Sequence, residues 1–246
     1  FTEDEEATKD NGWVPVYFEN HDLPRCTNYF FPQGIDTKLA AKFIATILLT
    51  MRGTPFIYEG QELGMTNIKW PSIKMYNDIS SIGQYELALK DKLTPKEAMK
   101  GVWKYSRDNA RSPMTWNSGS KAGFTTGRPW LPLNDEYPKL NVETETEDEN
   151  SVLNYYKNLI KLRKQYPALI EGDYEELLSY SPGIYAYART TKDKSERIIV
   201  IANTTAKIRG YKIPELKGAT LLASTYGNRE ATLLRSYEVR VYKVKK

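Results

Sequence analysis

Asn20, His21, Asp22 and Arg25 lie within six residues of one another and carry an amide, an imidazole, a carboxylate and a guanidinium, with Glu19 just before them. Such a set offers hydrogen-bond donors and acceptors of every kind at one place, which suits a ligand rich in hydroxyl groups. The same spacing also fits a capped strand end in which Asp22 and Arg25 pair for structural reasons, and both readings stay open. Glu59 and Glu62 could join Asp22 as a carboxylate pair, since glycoside hydrolysis needs two carboxyl groups about 5–9.5 Å apart. Loop carboxylates are mostly just hydrated, and that reading stands beside it. Arg107-Asp108-Asn109-Ala110-Arg111 sets two arginines around an acid, a clamp for either structure or ligand. Trp13, Phe18, Tyr58, Trp70, Trp103, Trp116 and Trp130 offer faces on which sugars stack, although most such rings are expected in cores.

Other chemistries find no support. A single cysteine, Cys26, forms no internal disulfide, and a single histidine leaves no Cys/His set for zinc, so neither metal nor cofactor is expected. Gly34, Gly53, Gly60 and Gly64 are not spaced as a phosphate-binding loop. Residues 1–150 hold 17 basic and 22 acidic groups, and residues 151–246 hold 18 and 9. That is a contrast between regions rather than a basic stripe, so no nucleic-acid partner is expected. The longest apolar run, near Phe43 to Met51, is far short of the ~20 residues that span a bilayer. With no signal sequence at the start, the expectation is a cytoplasmic protein without a membrane partner. The chain opens on phenylalanine and a polar, acidic stretch, which raises the expectation that it is a piece of something longer.

Val14–Phe18 reads as a short buried strand with Pro15 near its start, and Thr54–Tyr58 as a second one. Between them, apolar residues from Leu39 to Met51 repeat at helical spacing after Asp36, a plausible N-cap, and Gly53 stops the run. Strand, helix, strand is the unit of a parallel sheet, where chemistry gathers at the carboxyl ends of strands. Residues 64–150 are turn-rich apart from a helix over 95–105, and Glu143–Asn150 reads as a solvated acidic run. A helix starts at Ser151 and ends at Tyr166-Pro167. Beyond it, short β-rich runs such as Ile184–Ala188 and Arg197–Ala202 suggest an antiparallel β domain.

Phe18-Glu-Asn-His-Asp-Leu-Pro-Arg25, Gly53-Thr-Pro-Phe-Ile-Tyr-Glu-Gly-Gln-Glu-Leu-Gly-Met65, Arg107-Asp-Asn-Ala-Arg-Ser-Pro-Met-Thr-Trp116, Ala122-Gly-Phe-Thr125 and Pro129-Trp130 follow in order. Together they closely resemble the oligo-1,6-glucosidase and dextran glucosidase group of the α-amylase superfamily. The resemblance implies an α/β plus all-β architecture. Residues 1–167 would be the C-terminal part of a (β/α)8 barrel, strands seven and eight with their helices, and residues 168–246 an antiparallel β-sandwich. It further implies that Asp22 stabilises the oxocarbenium-like transition state, and that His21, Asn20 and Arg107 hold the sugar of a short α-1,6- or α-1,4-linked glucoside.

The departures are as informative. In that family the nucleophilic Asp and the acid/base Glu lie upstream of the Asn-His-Asp motif, and only 21 residues precede Asp22. The expectation is a C-terminal fragment of a retaining α-glucosidase that lacks both partners, with self-association through exposed barrel edges. A non-catalytic carbohydrate-binding module is the alternative. Glu19 stands where many relatives carry Asn, Leu23 for the common Gln, and Thr115 and Asn117 for the usual Gln and Asp.

Overall fold

The computed structural model describes residues 2–227 and 232–245. Along the chain, α1 (Thr2–Thr8) is followed by β1 (Pro15–Val16), α2 (Cys26–Tyr29), α3 (Thr37–Thr50) and β2 (Thr54–Pro55). Next come α4 (Ile79–Lys90), α5 (Pro95–Tyr105), α6 (Asp108–Arg111), α7 (Val142–Glu147), α8 (Val152–Gln165) and α9 (Pro167–Glu171). Then follow β3 (Asp173–Leu177), β4 (Ile184–Thr190), β5 (Arg197–Asn203) and β6 (Arg209–Gly210). The last strands are β7 (Thr220–Ser224), β8 (Leu233–Leu234) and β9 (Val239–Lys243).

The chain divides into two compact units. One comprises the chain up to Tyr17, Lys42–Phe56 and the chain from Tyr156 onward; the other comprises Phe18–Ala41 and Ile57–Tyr155.

In the first unit β1 and β2 pair in parallel, Pro15 opposite Thr54 and Val16 opposite Pro55. The ladder is shorter than the apolar runs suggest, with bonds from Thr54 N to Val14 O and from Phe56 N to Val16 O. Pro15 and Pro55 have no N–H to donate, which shortens it from both sides. Gly53 enters β2 at φ +118° with Val14 O only 2.3 Å from where a Cβ would sit, so no other residue fits there. The carbonyls of Leu49, Met51 and Gly53, orphaned where α3 ends, are collected by the buried guanidinium of Arg163 at 2.7–3.0 Å. Arg189, also buried, donates to Thr50 O, Leu169 O and Gly172 O. The strands after α9 form an antiparallel sheet in the order β3-β4-β5-β9-β7, with β6 and β8 as a small second sheet. Ala186, Ala188, Ile199, Ile201 and Tyr242 of the large sheet bury one face together with Leu234 of β8.

The second unit packs α4 against α5 over Ile68, Trp70, Tyr76, Met99, Val102 and Leu131. α5 has the bounds its sequence implies, because Thr94 and Glu97 form a reciprocal capping box and Pro95 sits in the first turn. α4 was not evident from periodicity, since Ile79, Leu87 and Leu89 all face solvent. Its start is fixed by Asp78, whose carboxylate accepts from Ser80 N and Ser81 Oγ. The acidic run also departs from expectation. It folds as α7, and Glu145 is buried with Oε2 accepting from Val152 N and Leu153 N at the start of α8. A carboxylate on unpaired N–H groups at a helix N-terminus is favoured by charge as well as by hydrogen bonding.

Candidate functional site

All the predicted site residues, Asn20, His21, Asp22 and Arg107, fall in the second unit. The loop after β1 is shaped locally: Asn20 Oδ1 accepts from Asp22 N at 2.8 Å, and Leu23 N reaches Asn20 O. This side-chain turn lifts His21 and Asp22 outward, with side chains 71% and 51% exposed.

Arg25 does not pair with Asp22. It is buried and bound to Glu19, Nη1 donating to Oε2 at 3.0 Å. The other oxygen of Glu19 accepts from Cys26 N at 2.8 Å, and Arg25 Nη1 also donates to Glu59 O. Arg25 lies over the Tyr58 ring, 5.6 Å from its centroid, and its backbone N–H donates to Asn67 Oδ1. The acid and base flanking the exposed pair thus close on each other as a buried footing. Burial, with Glu19 beside it, pushes the Cys26 thiol well up, so it stays protonated and inert.

Asp22 belongs instead to the arginines of α6. Its Oδ1 accepts from Arg111 Nη2 at 2.8 Å and lies 3.5 Å from Arg107 Nη1, while Oδ2 lies 3.4 Å from His21 Nε2. Arg111 Nε donates to His21 O at 2.8 Å, so one guanidinium grips both the backbone and the side chain of the loop. Arg107 is held from the far side by Asp78, whose Oδ1 accepts from Nε at 2.9 Å and Nη2 at 2.6 Å. Asp78 Oδ2 accepts from the Arg107 backbone N–H as well. Burial would raise the Asp78 carboxyl, but the hydrogen bonds from Arg107, Ser81 and Ser80 hold it down at about 2. The Arg107 guanidinium is correspondingly raised by its bonds to Asp78.

Glu59 contributes a backbone carbonyl to this site, and burial raises the carboxyl of Glu62, whose Oε2 has no hydrogen-bond partner among the described residues. Of the candidate stacking rings, Trp70 is buried and Trp103 donates to Trp70 O, whereas Trp116 and Trp130 are exposed. Asp78 was missed in the sequence, and Asp108, read as the acid between two arginines, turns out to hold backbone instead. Asp108, fully buried, receives Asn77 N and Asp78 N on Oδ2. Asp78 before Ile79-Ser-Ser is a helix N-cap pattern that could have marked it. Among the described residues no group of three or more His, Cys, Asp or Glu is placed to hold a metal, and no helix is long and apolar enough to cross a membrane.

Comparison with known proteins bears on this arrangement. The family described as "Alpha amylase, catalytic domain" matches residues 1–172. An oligo-1,6-glucosidase of Parageobacillus thermoglucosidasius is 42% identical over 95% of this chain and 43% of its own length. A trehalose-6-phosphate hydrolase of Bacillus subtilis is 35% identical over 96% of this chain and 43% of its own. Among solved structures, a trehalose-6-phosphate hydrolase of Bacillus licheniformis superposes with a TM-score of 0.90 at 34% identity, covering 98% of this chain and 45% of that one. An isomaltulose synthase of a Klebsiella species gives 0.87 at 36% identity, covering 99% of this chain and 45% of that one. The chain therefore spans less than half the length of these relatives.

Proposed function

Because the chain belongs to the α-amylase family, we propose that it carries the sugar-holding side of a retaining α-glucosidase site. The observation that carries this reading is the exposed Asp22 carboxylate, held at 2.8 Å by Arg111 beside the exposed His21 imidazole.

In this reading Asp22 binds the hydroxyls of the sugar at the cleaved bond. Its charge acts more strongly as positive charge develops on the ring, so the gain falls in the transition state rather than the ground state. His21 and Asn20 donate to the same sugar, and Arg107 fixes its non-reducing end. The substrate is a short α-1,6- or α-1,4-linked glucoside. β1 and β2 are strands seven and eight of the barrel, which runs to residue 167, with an antiparallel β domain from residue 168. The nucleophile and the acid/base are supplied by residues outside these 246. The exposed rim of His21, Asp22 and Arg107 also keeps open a binding module that holds sugar without cleaving it.

The test is glucose release from isomaltose and maltose by the 246-residue chain, beside Asp22→Asn as a control. Without a nucleophile and an acid, turnover is expected to be lower than that of a complete enzyme by several orders of magnitude. Turnover by the wild type that disappears in Asp22→Asn would mean that Glu59, Glu62 or another chain supplies the missing carboxylates. The division of roles proposed here would then be wrong.

A further inference from the structure

We infer that Asp78 is a positioning residue for this site: it fixes the Arg107 guanidinium in the orientation that reaches Asp22, and Asp108 fixes Asp78 in turn. The inference rests on the roles proposed above for Asp22 and Arg107.

Arg107 needs such a support. Its side chain is 32% exposed and its bond to Asp22 is long at 3.5 Å, with Asp22 itself half exposed. An exposed pair at that distance does not order a long side chain, because the rotamer entropy lost matches the energy gained. Asp78 differs, with a side chain only 1% exposed and an oxygen 2.6 Å from Nη2. It takes Nε, Nη2 and the backbone N–H of Arg107 together, which sets the guanidinium plane and the direction of Nη1 at once. The hydrogens left over on Nη1 and Nη2 are then aimed beside Asp22, where sugar hydroxyls would lie.

The support is itself supported. Asp108 Oδ2 accepts from Asn77 N and Asp78 N at 2.7 and 2.9 Å, so the backbone that carries Asp78 is tied to the residue following Arg107. Sequence neighbours thus close a loop of contacts: Asp108 holds the Asp78 backbone, and the Asp78 side chain holds Arg107. An acid that merely capped α4 would need only its bonds to Ser80 and Ser81.

That distinction supplies the experiment. Ser caps a helix as well as Asp does but has no charged oxygen to bridge Nε and Nη2 of the guanidinium as Asp78 Oδ1 does, so Asp78→Ser keeps the cap and removes the clamp. The Arg107 Nε–Hε resonance of the ¹⁵N-labelled chain, assigned by its loss in Arg107→Lys, reports the clamp without any ligand. Isomaltose titration followed at His21, the only imidazole in the sequence, reports the site. In Asp78→Ser the Arg107 N–H is expected to exchange about tenfold faster or more and isomaltose to bind about tenfold more weakly, with the α4 amides unmoved. Combining it with Arg107→Lys should add nothing further, since both act through one contact.

An unchanged Arg107 resonance in Asp78→Ser overturns the inference, and so do additive losses in the double variant. Should Asp78→Ser lose the α4 amides, Asp78→Thr, whose hydroxyl also caps but is likewise too short for the clamp, takes its place under the same criteria. If the wild type binds no isomaltose, the functional reading fails, while the Arg107 resonance still decides the role of Asp78.

Discussion

Replacing Glu19 by Gln is expected to destabilise the site-bearing unit by about 3–5 kcal/mol, the cost of stranding one member of a buried ion pair. Both side chains of the Glu19–Arg25 pair are 1% exposed and their charged atoms lie 3.0 Å apart. Gln keeps the size and an acceptor for Cys26 N, so the loss isolates the charge. Arg25 would be left with the carbonyls of Glu59 at 2.8 Å and Ala110 at 3.4 Å and the face of Tyr58. These dipoles offset part of the loss, which places the expectation near the lower end, about 3 kcal/mol. With a urea m-value of about 2–3 kcal/mol/M, the midpoint should fall by about 1 M. Four of the five tryptophans, Trp70, Trp103, Trp116 and Trp130, lie in this unit, so in a Trp13→Phe background tryptophan fluorescence reads it directly. Glu19→Asn should cost more, because its shorter side chain also withdraws the acceptor from Cys26 N. A double variant Glu19→Leu/Arg25→Met should recover part of the loss, since no charge is then stranded. A midpoint shift below about 0.3 M in Glu19→Gln, under 1 kcal/mol at that slope, would refute the argument and show that the carbonyls alone satisfy Arg25.

Three further outcomes are expected. The Asp78 carboxyl, depressed to about 2, stabilises the fold fully above its ordinary pKa near 4 and loses that contribution as pH falls through its folded value; acid titration of stability should show about 2 kcal/mol lost in that window and much less in Asp78→Ser. Glu62 runs the other way: burial raises its carboxyl, so the folded form binds a proton more readily than the unfolded one and stability falls as pH rises from the ordinary carboxyl value through the raised folded one. Glu62→Gln should therefore be more stable than wild type at neutral pH by urea denaturation, and an equal or lower midpoint would contradict this. β1 and β2 pair only with each other among the described strands, and Tyr17 and Phe56 beside them are about half exposed, so light scattering at micromolar concentration should report dimers or larger species; a clean monomer would count against it.

What was legible in the sequence was local. α5 could be read with its bounds because its cap, its proline and its apolar face lie within eleven residues, and α3 because Asp36 precedes a long apolar repeat and accepts from Lys38 N. The exposed polar loop at His21 and Asp22 was legible for the same reason. Partner choice was not. Asp22 and Arg25 are three residues apart, yet Arg25 turns inward to Glu19, while Asp22 is met by Arg107 and Arg111, 85 and 89 residues on. No local periodicity encodes such pairings. Glu145 shows the same limit: inside an acidic run it looked hydrated, but the orphan N–H groups of α8 draw it into a buried cap. Asp78 needed both kinds of information, since its cap is local and its grip on Arg107 is 29 residues distant.

The three-segment make-up of the first unit bears on how the chain is synthesised. Gly53 O waits for Arg163, 110 residues later, and Thr50 O for Arg189, 139 residues later. At about 5–20 residues per second a ribosome takes roughly 5–30 s to supply them. During that interval the end of α3 and the entry to β2 present bare carbonyls and apolar side chains, whereas the partners of Asp22 have already emerged by Arg111. Slow codons between residues 112 and 163 are therefore expected to lower the soluble yield more than the same codons placed after residue 190.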